Sequence, residues 1–191
     1  MNSRDLKPDD LLLICRASLF AAERHGNQLR KGRSGAPYLT HVAEVAGLVA
    51  EATDGNDAEL IAAAYLHDTL EDTSATYYEL ENLFGPEIAE LVEHVSDDMS
   101  RPKAERWHKQ ILNAAALPLR AKYIRIADKA SNLRGVLIDP PDWSDSTKYH
   151  YFGWAKSVVD RCRGTNSFLE DMFDETYYRG ILRFRPEKEG D

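Results

Sequence analysis

Two cysteines stand in 191 residues, Cys15 and Cys162. They are too few for a disulfide framework, and their scarcity agrees with a reducing cytoplasm. Long apolar runs are missing too. The stretch LLLICRASLFAA is broken by Arg16 and preceded by Asp9 and Asp10, which argues against a signal peptide or membrane span. No run of alternating β-branched residues is bounded by turn signals, so no sheet is expected. Internal repeats and low-complexity tracts are absent. Positive charge is in short supply, with 24 Lys and Arg against 32 Asp and Glu and a net charge of -8. That balance disfavours non-specific nucleic-acid binding as the main task. It leaves room for an anionic small molecule, because local charge decides that case.

What the chain does have is helical periodicity. It predicts an all-α domain over 1–191 with a tail over 184–191. Helices are expected near 9–24, 41–53, 57–71, 76–84, 86–96, 103–116, 119–138, 147–162 and 166–182. Thr40 and Asp57 are read as N-caps, and Pro86 and Pro102 as first-turn residues. Gly85 and Gly164 stand where helices should stop. Two loops, Leu29–Thr40 and Asp139–Thr147, are rich in residues able to do chemistry.

The stretch AAAYLHDTLEDT, from Ala62 to Thr73, brings His67, Asp68, Glu71 and Asp72 within six residues. No Lys or Arg occurs between Asn56 and Thr76. On a continuous helix, with His67 at zero, Asp68 falls near 100°, Glu71 near 40° and Asp72 near 140°. Leu66, Leu70 and Ala63 occupy the opposite arc. A solvated acidic face is one reading. However, solvated faces usually mix signs, and like charges at i, i+3 and i+4 repel. A divalent cation would reverse that repulsion, since hard cations collect carboxylates and borderline ones add imidazole. Further ligands must then come from other helices. Asp128 qualifies, with Ser131 and Asn132 one turn on, although it could instead pair with Arg125. His41 opens a helix just after a glycine-containing loop, and could equally be an ordinary first-turn residue.

RKGRSGAPY carries Arg30, Lys31 and Arg33 on a backbone loosened by Gly32 and Gly35. It reads either as a solvated turn or as a phosphate cradle. Lys103, Arg106 and Lys109 form a second basic cluster, and Lys122, Arg125 and Lys129 a third. WSDSTKYHYFGWAK holds five aromatics. Tyr151, Trp154 and Val158 have the spacing of a core face, and one or two rings at the loop end could stack on a nucleobase.

Taken in order, RKGRSGAPYLTHVAEVA, AAYLHDTLEDT, LFGPEIAELVEHVSDD and YIRIADKASNLR resemble the HD-domain metal phosphohydrolases. Within them they resemble the hydrolase domain of RelA/SpoT-type enzymes and the stand-alone small alarmone hydrolases. The matching stretches run from about Ala21 to Arg134, with a weaker echo in YFGWAK, and this resemblance marks a motif-bearing core at about 21–162. The resemblance implies an HD-type helical bundle with His41, His67, Asp68 and Asp128 as metal ligands and Mn²⁺ as the ion. It assigns Glu71 and Asp72 to the attacking water, Arg30 and Lys31 to the nucleotide, and Asn132 to its base or ribose. Lys103 and Tyr151 match substrate contacts with more divergent flanks. Val42 departs from the family's frequent proline after the first histidine. The implied reaction is removal of the 3′-diphosphate from guanosine tetra- or pentaphosphate. The rivals are a phosphatase for another 2′- or 3′-phosphorylated nucleotide, such as NADPH or an adenosine alarmone, and a non-catalytic nucleotide sensor. The implied partner is a nucleotide, with no nucleic acid or membrane; a homo-oligomer is left open. The length leaves no room for a synthetase domain, so hydrolysis alone is expected in a cytoplasmic protein.

Overall fold

The computed structural model describes residues 7–186. Ten α-helices and one 3₁₀ turn account for its regular structure: α1 Pro8–His25, α2 Leu39–Ala52, α3 Ala58–Leu66, α4 Thr69–Asp72, α5 Tyr77–Phe84, α6 Pro86–Val95, α7 Lys103–Asn113, α8 Leu119–Ile138, α9 Asp145–Val159 and α10 Ser167–Phe184, with the 3₁₀ turn at Ala114–Ala116. Among the described residues the only bridge is between Leu29 and Pro37, and no sheet forms. The all-α expectation holds. No helix among them is long and apolar enough to cross a membrane.

Two helices form the centre. α3 buries seven of its nine residues, because Ala62, Ala63 and Ala64 are small enough for neighbours to close on every side. It packs against α1, α2 and α6, while α8 packs against α2, α6, α9 and α10. The core joining them includes Leu60, Leu66, Ile124, Ile126, Leu133, Phe152 and Phe173, all essentially inaccessible. Each such side chain contributes about 1.5–3 kcal/mol by leaving water. α8 also buries Arg125, Asp128, Lys129 and Ser131, and α2 buries His41. Charged groups rarely enter a core without partners, so these positions mark where the fold does more than pack.

Several local expectations need correcting. The helix expected over 57–71 is two helices, parted at His67 and Asp68. The cause is competition for carbonyl oxygens. The Thr69 hydroxyl donates to the Leu66 carbonyl at 2.6 Å and the His67 Nδ1–H to the Ala64 carbonyl at 2.8 Å, an alternative to helical backbone pairing. Asp68 adopts φ -99°, ψ 0° before the chain turns helical again. The continuous-wheel angles therefore fail at this point.

Asp57 does cap α3, accepting from the Leu60 N–H at 3.0 Å. Thr40 is no cap: α2 starts at Leu39, and the Thr40 hydroxyl donates back to the Pro37 carbonyl at 2.7 Å. α9 begins at Asp145, capped by Ser144, and stops at Val159, five residues before Gly164. α10 continues to a buried Phe184, so the expected tail cannot include that residue, and residues 187–191 lie outside the described range.

Glycines test the packing. A Cβ at Gly180 of α10 would strike the Phe152 ring, whereas one at Gly47 of α2 meets nothing within 4 Å. Gly180→Ala should cost about 1–3 kcal/mol through overpacking. Gly47→Ala should gain about 0.5–1 kcal/mol through helix propensity. Thermal melts should show Tm shifts of opposite sign, roughly 2–4 °C per kcal/mol for a chain of this size; shifts of the same sign would contradict this packing.

Candidate metal centre

The buried polar groups converge where α2, α8 and the α3–α4 junction meet. His41 Nε2 lies 3.4 Å from Asp68 Oδ2 and 3.4 Å from Asp128 Oδ1. His67 Nε2 lies 3.0 Å from Asp68 Oδ2 and 3.8 Å from Asp128 Oδ1. One atom from each of His41, His67 and Asp128 falls within a 4.8 Å cluster, the arrangement of a metal-binding triad. Asp68, just before α4, reaches the same cluster as His67, whose backbone is still helical.

The donor atoms suit a divalent ion. Both Nε2 atoms are buried without a hydrogen-bond partner, and the opposite ring nitrogens are engaged. His67 Nδ1 is bound to the Ala64 carbonyl, and His41 Nδ1 lies 2.9 Å from the Ser131 hydroxyl. Such outer bonds orient imidazole ligands toward a metal. Burial raises the Asp128 carboxyl pKa, but the Lys129 ammonium at 2.8 Å holds it well below the carboxylate range. Asp68 is likewise held low, against burial, by the two imidazoles. Burial opposes charging of His67, yet Asp68 and Asp128 raise its pKa to about 9. A cation entering the site must displace that proton, so metal affinity rises with pH up to that value. Two imidazole nitrogens with carboxylate oxygens match a borderline divalent metal.

Asn132 Nδ2 donates to Asp128 Oδ1 and so props the carboxylate in place. Glu71 is half-buried, with Oε1 accepting the Asp97 N–H at 2.7 Å; burial, then Asp68 and Asp97, raise its pKa to about 7. Asp72 is exposed and accepts from Gln28 at 3.2 Å. Asp128 pairs with Lys129, while the Arg125 guanidinium donates to the Val95 carbonyl at 2.9 Å. The alternative Arg125–Asp128 pairing is therefore not formed.

The two flagged loops meet. Asp139 clamps the tip of the basic loop, accepting from the Arg33 N–H, the Ser34 N–H and the Ser34 hydroxyl at 3.0, 3.0 and 2.6 Å. Gly32 is required there, since a Cβ would overlap that carboxylate. Lys31 stays exposed on this loop. Lys103 of α7 faces it: partial burial and repulsion from Lys31 and Arg106 lower the Lys103 pKa. Its ammonium lies 4.6 Å from the Trp107 ring centre, and Trp107 stacks on Trp154 at 4.3 Å. Tyr151 stands among Trp107, Trp143 and Trp154 at 5.5–5.7 Å, half-buried rather than core. Burial and Asp128 raise its hydroxyl pKa. A separate cavity of about 190 Å³ lies beyond Asp97, lined by Arg106, Lys109, Gln110 and Arg125, and none of His41, His67, Asp68 and Asp128 lines it.

Sequence reasoning overlooked Tyr38, whose hydroxyl donates to Asp68 Oδ2 at 2.5 Å and is kept protonated first by burial and then by Asp68. It precedes His41 by three residues, and starting α2 two residues earlier would have placed both on one side. Lys129 was noted only as part of a basic cluster.

A fold of packed helices around a His/Asp cluster defines an HD-type metal site, and the chain belongs to the HD-domain family, whose model matches residues 17–147. Within it the chain falls in the MESH1/SpoT-like branch. It is 42% identical over 164 residues to the guanosine-3′,5′-bis(diphosphate) 3′-pyrophosphohydrolase MESH1 of Danio rerio, covering 85% of this chain and 91% of that one. To its Drosophila melanogaster counterpart it is 43% identical over 165 residues, covering 85% and 92%. A solved structure, described as a metazoan ortholog of SpoT that hydrolyzes ppGpp, superimposes with a TM-score of 0.84 at 40% identity. That match covers 87% of this chain and 94% of the other.

The purified protein should bind about one divalent ion per chain, because two imidazoles, carboxylates and waters fill one coordination sphere. His67→Ala and Asp128→Ala should each abolish that stoichiometry in elemental analysis. Full occupancy in both variants would refute the triad.

Proposed function

We propose that the protein hydrolyses (p)ppGpp, releasing the 3′-diphosphate to leave GDP or GTP, with Mn²⁺ bound by His41, His67, Asp68 and Asp128. The observation that carries this reading is the juxtaposition of the His41–His67–Asp128 cluster with a half-buried Glu71 whose pKa stands at about 7. The bound ion supplies Lewis-acid charge at the phosphoryl group. The remaining work falls to the chain. Glu71 accepts the proton of the attacking water, its Oε1 being fixed by the Asp97 N–H. A base with a pKa near the working pH is well matched to that task. Asp72, held by Gln28, orients the same water.

Lys31 and Lys103, near enough for their charges to repel, together attract the phosphates. Arg30 gives two donors to Glu44 and the Ser131 carbonyl, and its remaining N–H groups face the nucleotide. Tyr151 and its tryptophan neighbours form an aromatic cluster beneath Lys103, and Asn132 contributes at the base or ribose. The relatives' activity on guanosine-3′,5′-bis(diphosphate) supports the substrate class.

Incubating Mn²⁺-loaded protein with a nucleotide panel and identifying the products tests this reading. GDP and pyrophosphate from ppGpp are expected. Products only from NADPH or an adenosine alarmone would reassign the substrate, and binding without turnover would make the protein a sensor.

Glu71→Gln with Asp72→Asn should retain metal and nucleotide affinity while kcat falls about 10²-fold or more. Wild-type kcat/KM should fall as pH drops through the Glu71 pKa, because only the carboxylate accepts a proton. That limb lies at or below the value of about 7, since a bound cation lowers the pKa of a neighbouring acid. The amide variant should lose the limb. Near-normal turnover in that variant would dismiss the base.

Replacing Lys31 and Lys103 by Ala should raise KM roughly tenfold per lysine, the scale of one charge-assisted hydrogen bond, with metal content unchanged. An unaltered KM would return the loop to a solvated turn.

A further inference from the structure

His41 reaches the cluster through Nε2, so its other nitrogen decides whether a lone pair is available there. Nδ1 lies 2.9 Å from the Ser131 hydroxyl, and both residues are buried. A hydroxyl has one proton. The Ser131 hydroxyl donates it to Glu44 Oε2 at 2.7 Å, and a carboxylate can only accept. Ser131 must therefore accept from His41, which places a proton on Nδ1 and the lone pair on Nε2. Were Glu44 absent, the same hydroxyl would be free to donate to Nδ1, and the neutral ring would carry its proton on Nε2, facing the metal position.

Glu44 is unusually well held. Its carboxylate is bracketed by the Arg30 and Arg134 guanidiniums at 3.4 and 3.3 Å. Arg30 also donates to the Ser131 carbonyl at 3.1 Å, and it lies over Gly135, where a Cβ would collide with its guanidinium. Glu44 comes from α2, Ser131 from α8 and Arg30 from the basic loop, so three segments meet at one carboxylate.

We propose that Glu44, acting through the Ser131 hydroxyl, is a positioning residue that sets the proton on His41 Nδ1 and thereby the affinity of the site for a divalent ion. The inference rests on the reading of His41 as a ligand. Glu44 touches neither the ion nor the reacting atoms.

Two measurements on the full chain test it. Long-range ¹H–¹⁵N spectra of the metal-free protein, with the ring assigned by its loss in His41→Ala, should show the Nδ1–H form in wild type. Glu44→Ala should move the ring toward Nε2–H. Titration with Mn²⁺ alone, followed by the electron paramagnetic resonance of the free ion, should then show affinity falling about 10–100-fold, the usual range for an outer partner of a metal-bound histidine. Ser131→Ala should lose a similar factor, and the double variant no more than either single one, because the two residues act in series. Glu44→Gln, whose amide oxygen still accepts from Ser131, should stay close to wild type, separating the relay from a loss of packing. Unchanged affinity in Glu44→Ala, or additive losses in the double variant, would overturn this inference alone. Failure of the wild-type protein to bind Mn²⁺ would bring down the ligand reading as well.

Discussion

Two imidazole nitrogens facing two carboxylates inside a helical core form an arrangement that no apolar contact can neutralise. His41 Nε2 and His67 Nε2 are buried without hydrogen-bond partners, and a buried polar group left unpaired costs about 1–3 kcal/mol. Asp68 and Asp128 add two charges at 3.0–3.8 Å from those nitrogens. The fold answers with Lys129 on Asp128, with a His67 ring whose proton these carboxylates hold, and with hydrogen bonds from Tyr38 and Asn132. The helices bring these groups together because α2, α3 and α8 are tied by the apolar core around them. Stability is therefore spent at one point so that the site can take a divalent ion there.

Much of this was legible in the chain, and what was missed has a common cause. Helix existence followed from periodicity, and the His67–Asp72 acids stood out because a single-sign face is unusual. The break at His67 did not show. It depends on which carbonyl oxygen the Thr69 hydroxyl and the His67 ring capture, and both side chains are compatible with a continuous helix until their rotamers are known. Asp128 was singled out as a candidate ligand, with the wrong alternative partner. Arg125 sits three residues before it and Lys129 one after, and only the rotation of α8 decides which of them points away. Ser131 was seen as a helical neighbour of Asp128, but its bonds to His41 and Glu44 span 90 and 87 residues of sequence. Long-range polar pairs of this kind leave no periodic trace.

The acidic balance of the chain hides an ordered separation of charge. Crowded carboxylates lie at the α3–α4 junction, where burial first and then these charges raise the pKa of Glu71 and of the Tyr38 hydroxyl. Crowded cations lie where the basic loop meets α7, and there Lys31 and Arg106 repel the Lys103 ammonium. Each cluster is self-repelling, and each is held by packing that is not its own: Asp139 clamps the loop of Lys31, and Trp107 lies under Lys103. A cation relieves the first cluster and a polyanion the second. A metal-bound phosphoryl compound presents both charges at once, and a net charge of -8 is no obstacle to it, because screening limits the reach of the remaining surface to about 8 Å at physiological salt.

The same separation explains why one residue can serve both halves. Glu44 accepts from Ser131, which faces the imidazole side, and from Arg30, which belongs to the basic loop. If the loop shifts when an anion arrives, the guanidinium that brackets Glu44 shifts with it, and the carboxylate that sets the proton on His41 feels the change. Coupling between two sites requires a physical element whose state both can bias. The Glu44 carboxylate, reached from α2, α8 and the loop, stands where such an element would have to be. Its hydrogen bonds stand as 2.7 Å to the hydroxyl and 3.4 Å to the guanidinium. The shorter bond is the one that fixes the ring, and the longer one is the one that can loosen. The bond on the imidazole side is thus the tighter of the two, and the one to the basic loop the weaker.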